Sequence, residues 1–465
     1  MRLELAHIIG ISISLIAILA LSIYSGKFAK KSQGAKSWIV AGAIMGTLVG
    51  GSSTVGTSQL AYHYGMSAWW FTLGSGIACL ILAIVYVRPL RNSRCSTLTA
   101  IIHQEYGPGC GMAASILSSF GSFINIISQL IAATAIIAVI YPNLSLPISL
   151  LISAVFMVLY IIFGGTKGSG IVGTLKMLLL YMTMLFGGVI VLSLCGGLGG
   201  ILHLVNGIEN PDNIHFYSLF ARGAGTDMGA CLSLTLGVIT TQSYAQAIFM
   251  ADSTADAKKG ALLSAVMIPP VGIGGILVGL YMRAVHPGIV AKTALTLFVT
   301  EYMPPLVGGL VLGALFIAVV GTGAGLALGI ATVLKKDILP PLLPAVKQEK
   351  HSGLWEKALI ILTLSLAVML STGSLGDTIL SFAFLSMGLR GATIFLPLCC
   401  ALWLPGRVDK HYALLSILSG PLVVLLFGLW DVLPFDPLFA GVLSSVVIMA
   451  AGFLASRSKH KTTVK

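Results

Sequence analysis

The fold is decided by the stretch Gly46-Thr-Leu-Val-Gly50-Gly51-Ser52-Ser53-Thr54-Val-Gly56-Thr57-Ser58, inside an apolar run at about 38–61. The run is long enough to cross roughly 30 Å of hydrocarbon as a helix. However, glycine is costly in a helix interior, and bare backbone groups in lipid need partners. We therefore predict a helix that breaks near residues 50–53 and presents carbonyl and N–H groups to a cavity. A glycine and serine packing face between continuous helices is the alternative.

The rest of the chain resembles this run in composition. Apolar residues make up 57% of the 465 residues and charged residues only 9%, whereas soluble proteins carry about 25% charged residues. We predict an all-α polytopic membrane protein with about thirteen transmembrane helices. The predicted spans are 5–24, 38–61, 66–87, 110–140, 145–163, 170–194, 227–250, 258–282, 305–334, 356–371, 376–403, 411–430 and 434–455.

The net charge of +12 is distributed between these apolar runs and does not form one basic domain. We therefore expect no nucleic-acid partner. With the N-terminus outside, most of the 27 Lys and Arg residues fall on the other side of the membrane. The positive-inside rule then predicts a multi-pass cell-membrane protein with a cytoplasmic C-terminus. The first apolar run indicates a retained helix and not a signal peptide. The oligomeric state is not indicated.

A second polar interruption lies five spans later, at Gly237-Val-Ile-Thr240-Thr241-Gln242-Ser243-Tyr244-Ala-Gln246. Two broken helices at matching positions of two five-helix halves are typical of an inverted-repeat carrier with its site at the membrane midplane. The predicted organisation is a peripheral helix at 1–30, repeats at 38–195 and 225–403, and two peripheral helices at 410–456.

The residues around this second interruption resemble the signature of the sodium/solute symporter family, whose members carry sugars, proline, pantothenate and sialic acids. The resemblance rests on residues 241–246 (TQSYAQ) and 252–260 (DSTADAKKG), in which Gln242, Gln246, Ala257, Lys259 and Gly260 match without a gap. It extends over nearly the whole chain, through Ala61-Tyr62 and Gly65, a turn at Gly164-Gly165, and Thr332 with Asp337. It implies ten core helices, spans two to eleven.

The resemblance also implies a cation site between the second and ninth spans. The implied ligands are the carbonyls of Gly46 and Val49, those of Ala318 and Gly321, and the Thr322 hydroxyl. The family has two hydroxyl residues where this chain has Gly321-Thr322, so one ligand is missing.

Lys176 lies within the sixth span, one position after Leu175, where the family often has Asp. An ionisable residue at this depth indicates function. Its ammonium could replace sodium and exchange a proton, or it could extend to the cytoplasmic surface. The coupling ion is accordingly sodium or a proton, and no other cofactor is expected.

Arg390 is the second charged residue within a span, and no acidic residue lies at a comparable depth. A buried Arg without a carboxylate is expensive, so either a substrate carboxylate pairs with it or it lines a wet cytoplasmic cavity. Asn125 and Ser128 are further polar candidates. The predicted substrate-binding residues are Ser52, Ser53, Thr54, Thr72, Ser75, Gln129, Thr240, Thr241, Gln242, Tyr244 and Arg390.

These features predict a secondary active transporter that moves a small organic solute, such as an organic acid or amino acid, by cation-coupled alternating access. An enzyme is not expected, because the acidic residues lie in loops and span ends without a paired arrangement. A channel or a transporter-like sensor on the same fold is the alternative. A channel would carry a current that does not saturate with solute concentration. A sensor normally has an appended signalling domain.

Overall fold

The computed structural model describes residues 4–29, 35–208, 213–342, 352–372, 379–430 and 435–463. Within these ranges the chain is helical, with one isolated bridge between Ala35 and Ala251, so the all-α prediction is confirmed. The α-helices are α1 Leu5–Ala29, α2 Ser37–Leu48, α3 Thr57–Tyr64, α4 Trp70–Ile81, α5 Val87–Asn92, α6 Leu98–Tyr106, α7 Pro108–Ile140, α8 Leu146–Leu194, α9 Leu198–Asn206, α10 Ala224–Ile239, α11 Gln242–Phe249, α12 Thr254–Val285, α13 Ala294–Tyr302, α14 Pro305–Val333, α15 Leu339–Leu342, α16 Ser352–Ser371, α17 Ile379–Trp403, α18 Lys410–Trp430 and α19 Pro437–Thr463.

In the described part of the chain, nine helical segments are long and apolar enough to cross a membrane. Shorter apolar helices occur at Leu5–Ala17, Ser37–Leu48, Leu146–Ile161 and Ala224–Ile239. The polytopic membrane fold is thus confirmed, and the total of thirteen spans stays a prediction. Short helices, α9 and α13, follow the sixth and eighth predicted spans.

One boundary prediction is wrong. Spans at 145–163 and 170–194 were expected to be separated by a turn at Gly164-Gly165, but α8 runs without interruption from Leu146 to Leu194. The physical reason is that glycine weakens a helix by only about 1 kcal/mol per residue, so two glycines do not by themselves end one.

Both predicted helix interruptions are present. The helix α2 ends at Leu48, Val49 is extended, and a π-helical turn at Ser52–Gly56 leads into α3. In the second segment α10 ends at Ile239 and α11 begins at Gln242, leaving two residues outside the helices. The chain therefore has two broken spans, as the sequence predicts.

The first broken span packs closely against α8, α12 and α14. Its crossing with α8 depends on glycine: a Cβ on Gly173 would lie 2.0 Å from the Gly42 carbonyl oxygen, and one on Gly46 would lie 2.6 Å from the Gly173 Cα. Small residues let two helix backbones approach in this way. This contact sets the position of α8 beside the first break.

Candidate functional site

The first break keeps its backbone polar groups bonded to nearby side chains. The Ser53 hydroxyl accepts from the Gly50 N–H at 2.8 Å, and the Thr54 hydroxyl donates to the Gly50 carbonyl at 2.8 Å. The Gly51 N–H donates to Gln129 Oε1 at 2.9 Å. Because buried backbone groups without partners are costly, these side chains stabilise the interruption.

Gln129 on α7 joins the break to the rest of the core. Its Nε2 donates to Ser52 Oγ at 2.9 Å and to Asn125 Oδ1 at 3.2 Å. Ser52 Oγ lies 3.2 Å from Ser128 Oγ, and the Ser128 hydroxyl donates to the Ile379 carbonyl at 2.8 Å. The predicted polar residues of the second and fourth spans are therefore brought together in one buried network.

Lys176 reaches the predicted cation position. Its Nζ donates to the Gly46 carbonyl at 2.5 Å and to Thr322 Oγ1 at 2.7 Å, and its side chain is buried. The Thr322 hydroxyl lies 3.3 Å from the Val49 carbonyl oxygen. Two of the ligands that the family resemblance implies therefore bind an ammonium group of the chain itself, and a third, the Val49 carbonyl, lies next to one of them.

Gly50 lies in the first break and packs against the predicted cation position. A Cβ on Gly50 would lie 2.3 Å from Thr322 Oγ1 and 2.9 Å from Gln129 Oε1. Ala318 and Gly321 are buried on α14, where Gly321 faces the Tyr160 ring. Their predicted role as ligands stays a prediction.

The second break is held by Arg390 of α17. The Arg390 NH1 donates to Thr241 Oγ1 at 2.7 Å, while its Nε and NH2 bind the carbonyl and hydroxyl of Ser386 at 3.1 and 3.0 Å. NH2 also contacts Met387 Sδ at 3.0 Å. Gly121 of α7 packs against the Arg390 stem, since a Cβ there would lie 2.7 Å from Arg390 Cγ.

The other predicted substrate residues are dispersed. Thr72 packs between α4 and α12, where a Cβ on Gly272 would lie 2.1 Å from its hydroxyl. The hydroxyls of Ser75 and Thr240 donate to carbonyls of their own helices at 2.6 and 2.7 Å. Tyr244 is fully buried, and its hydroxyl has no hydrogen-bond partner among the described residues.

Gln242 turns away from the break towards α6. Its Oε1 accepts from the Leu98 N–H at 3.0 Å and its Nε2 donates to the Ser96 carbonyl at 3.2 Å. The carboxamide thus fastens the first turn of α11 to the segment that begins α6. The sequence analysis did not predict α6 as an element.

Two parts of the site were missed. Ser386 precedes Arg390 by four residues, a spacing that places both on one helix face and could have indicated their contact. At the start of α10, the buried Asp227 carboxylate binds Arg222 NH2 at 2.6 Å and the Ser67 hydroxyl at 2.7 Å. Arg222 and Asp227 are only five residues apart, a spacing that could have indicated their pairing, whereas the bond from Arg222 Nε to the Ser67 hydroxyl spans 155 residues and is not visible in sequence spacing.

An all-helical membrane protein with two interrupted spans, each carrying a buried polar network at its break, has the architecture of a secondary transporter. The chain belongs to the sodium:solute symporter family, whose sequence profile matches residues 31–420. It is therefore a transporter and not an enzyme.

Solved structures show the same fold. A Na+-coupled sialic acid symporter in a substrate-bound outward-open state is 17% identical, with a TM-score of 0.77 over 98% of each chain. A nucleobase-cation-symport-1 family transporter, closed with bromovinylhydantoin bound, is 10% identical, with a TM-score of 0.61 over 92% of this chain and 94% of that one. These likenesses establish the inverted-repeat transporter fold.

Part of the sequence is also similar to a bacterial symporter. The uncharacterized symporter YwcA of Bacillus subtilis (strain 168) is 28% identical over 156 residues, which are 33% of this chain and 30% of the relative. This match therefore spans less than a third of the relative's length.

Proposed function

We propose that this chain is a cation-coupled symporter of a small organic solute and that a proton on Lys176 acts as its coupling cation. The observation that carries the proposal is the Lys176 ammonium between the Gly46 carbonyl and the Thr322 hydroxyl. The family is one of sodium:solute symporters, so a cation is the expected driving species. In this chain a fixed amine occupies the oxygen-lined position.

Sodium does not fit beside this ammonium. A second positive charge at the same oxygens would be repelled at contact distance, and the interior screens that repulsion weakly. Gly321 stands where the family resemblance implies another hydroxyl ligand, which leaves fewer oxygens for a metal ion. Protonation of an amine, in contrast, needs no further ligand.

The coupling follows from linkage between the proton and the solute. A protonated Lys176 on α8 donates simultaneously to α2 and to α14, and Gly50 packs against the same Thr322. Proton binding therefore orders the first break next to Gln129 and its hydroxyl network. If the ordered break binds the solute more tightly, the solute must equally favour protonation, because coupling free energies are reciprocal.

The proposal includes alternating access, in which spans two, three, seven and eight, drawn from both repeats at 38–195 and 225–403, move against the other core spans. The N-terminus lies outside and the C-terminus in the cytoplasm of a cell-membrane protein. The support is the charge distribution between spans and the position of the two breaks. A fluorescent protein fused to the C-terminus should fluoresce, since it folds in the cytoplasm. A dark fusion whose full-length chain is present would contradict this orientation.

The test of proton coupling uses the purified chain in liposomes on a solid-supported membrane, perfused with a panel of small carboxylates, amino acids and neutral solutes. With a more acidic outside, a transported solute should accumulate in choline buffer at a saturable rate, and a solute without net charge should also give a saturable inward current, whereas a monocarboxylate moving with one proton carries no net charge. Uptake should rise as the external pH falls. A sodium gradient at equal pH on both sides should add nothing.

Accumulation driven by sodium alone would overturn the assignment of the proton while leaving symport intact. Current that does not saturate with solute concentration, together with no accumulation under either gradient, would instead indicate a channel.

A further inference from the structure

Arg390 is a buried cation without an acidic partner in the described structure. Its side chain is 0% exposed. The ion pairs among the described residues join Arg222 to Asp227, His286 to Glu301 and Lys335 to Glu356. All the groups that Arg390 contacts are neutral: two hydroxyls, one carbonyl and one thioether sulfur.

Neutral acceptors stabilise a guanidinium only in part. Removing an ion from water costs several kcal/mol even after the protein relaxes, and a counter-charge is the usual compensation. The thioether of Met387 is a weak acceptor, so the NH2 hydrogen that points to it is available to a stronger one. NH1 has two N–H groups, and one bond to Thr241 uses only one of them. Two terminal N–H groups of Arg390 therefore remain open to an anion.

Further donors lie beside this guanidinium. Tyr244, the third residue of α11, lies within electrostatic range of Arg390, and its fully buried hydroxyl has no hydrogen-bond partner among the described residues. The helix α11 begins at Gln242, and its cap residue Thr241 makes no side-chain cap bond. The first N–H groups of a helix point outward from its N-terminus and favour negative charge. Cationic, hydroxyl and amide donors thus converge at the second break.

We propose that the transported solute carries a carboxylate, which binds at the second break between Arg390, the Tyr244 hydroxyl and the first turn of α11. This inference rests on the proposed function and names the substrate class for it. A carboxylate is favoured over a monatomic anion because its two oxygens can accept from both terminal nitrogens of one guanidinium. During transport the solute supplies the negative charge that none of the described residues places next to Arg390.

The test measures binding separately from transport. Thermal stabilisation of the purified chain is titrated with small mono- and dicarboxylates, with their neutral amides, and with chloride in sulfate-exchanged buffer. Carboxylates should stabilise the wild type, while their amides should not. The variant Arg390→Gln should weaken carboxylate binding about 30-fold or more, since truncating a buried charge partner is expensive. The exposed Arg407→Gln removes the same charge from a surface loop and should bind like the wild type.

Tyr244→Phe is the second variant, which tests the site without removing the buried charge. It removes only the unpartnered hydroxyl and should weaken carboxylates about 3- to 10-fold, the effect of one lost hydrogen bond. Equal binding of amides and acids, unchanged carboxylate binding in both variants, or protection by chloride alone would each overturn the inference.

The two proposals fail separately. Proton-driven accumulation of a neutral solute that does not require Arg390 would overturn the carboxylate inference and leave proton symport intact. Carboxylate binding that depends on Arg390, without any proton-driven accumulation, would leave the anion site intact and overturn the proposed function.

Discussion

Replacing Lys176 by glutamine is expected to reduce proton-driven solute accumulation to the level of empty liposomes. A carboxamide still donates a hydrogen bond towards Gly46 or Thr322 but does not titrate between neutral and acidic pH. The first break therefore stays ordered whatever the proton concentration, and the linkage between the proton and the solute disappears. Exchange of labelled for unlabelled solute needs no net proton movement and should persist in this variant.

The measurement compares net uptake under a pH gradient with exchange at equal pH in the same vesicles. Lys335→Gln is the matched control, because Lys335 pairs with Glu356 at 3.1 Å near the end of α14 and is partly exposed. Such pairs contribute about 1 kcal/mol or less, so both rates should remain as in the wild type. Full pH-driven accumulation by Lys176→Gln would remove Lys176 from the coupling role.

Replacing Gly173 by alanine is expected to destabilise the folded protein severely, although alanine normally favours a helix more than glycine does. The new Cβ would lie 2.0 Å from the Gly42 carbonyl oxygen and 3.2 Å from the Gly46 Cα, so two backbones must separate. Overpacking of this kind costs about 1–3 kcal/mol and sometimes more. The separation also draws Lys176, one turn further along α8, away from the Gly46 carbonyl, so transport should fall with stability.

Gly187→Ala provides the control on the same helix. A Cβ there would meet Val278 Cγ2 at 3.5 Å, an ordinary contact, and alanine gains about 1 kcal/mol of helix propensity. Its melting temperature in detergent should equal or exceed that of the wild type, whereas that of Gly173→Ala should fall by several degrees. Equal melting temperatures for the two variants would contradict the close crossing of α2 and α8.

The breaks were predictable because their causes are local. Gly50 with Gly51, and Thr240 with Thr241, are poor helix residues within apolar runs, and both interruptions occur at these positions. Lys176 could be considered for the cation position because the family resemblance implies an Asp one position earlier, at Leu175, although extension to the cytoplasmic surface stayed open. The contact between its Nζ and Gly46 spans 130 residues, and no spacing rule could have given it.

The one boundary error has an equally physical cause. Gly164 and Gly165 were interpreted as a turn, although glycine lowers helix stability without enforcing a bend. Gln242 is predicted to bind substrate because it lies at a break, and this role stays a prediction, but the sequence did not indicate where its side chain points, because a side chain at the first position of a helix can point in several directions. Its actual partners belong to a segment near α6, which depends on the three-dimensional arrangement of the third and seventh spans.

One peptide bond separates two anchors of different kinds. Thr241 is bound from α17, deep in the membrane, while the adjacent Gln242 is bound to the Ser96–Leu98 segment. Because the two residues are adjacent, a backbone rotation at one of them is transmitted directly to the other. A ligand that draws the Thr241 hydroxyl away from the Arg390 guanidinium therefore strains the hydrogen bonds between Gln242 and the Ser96–Leu98 segment. Spin labels on α6 and α11 would detect the release of these bonds as an increase in the distance between the two helices.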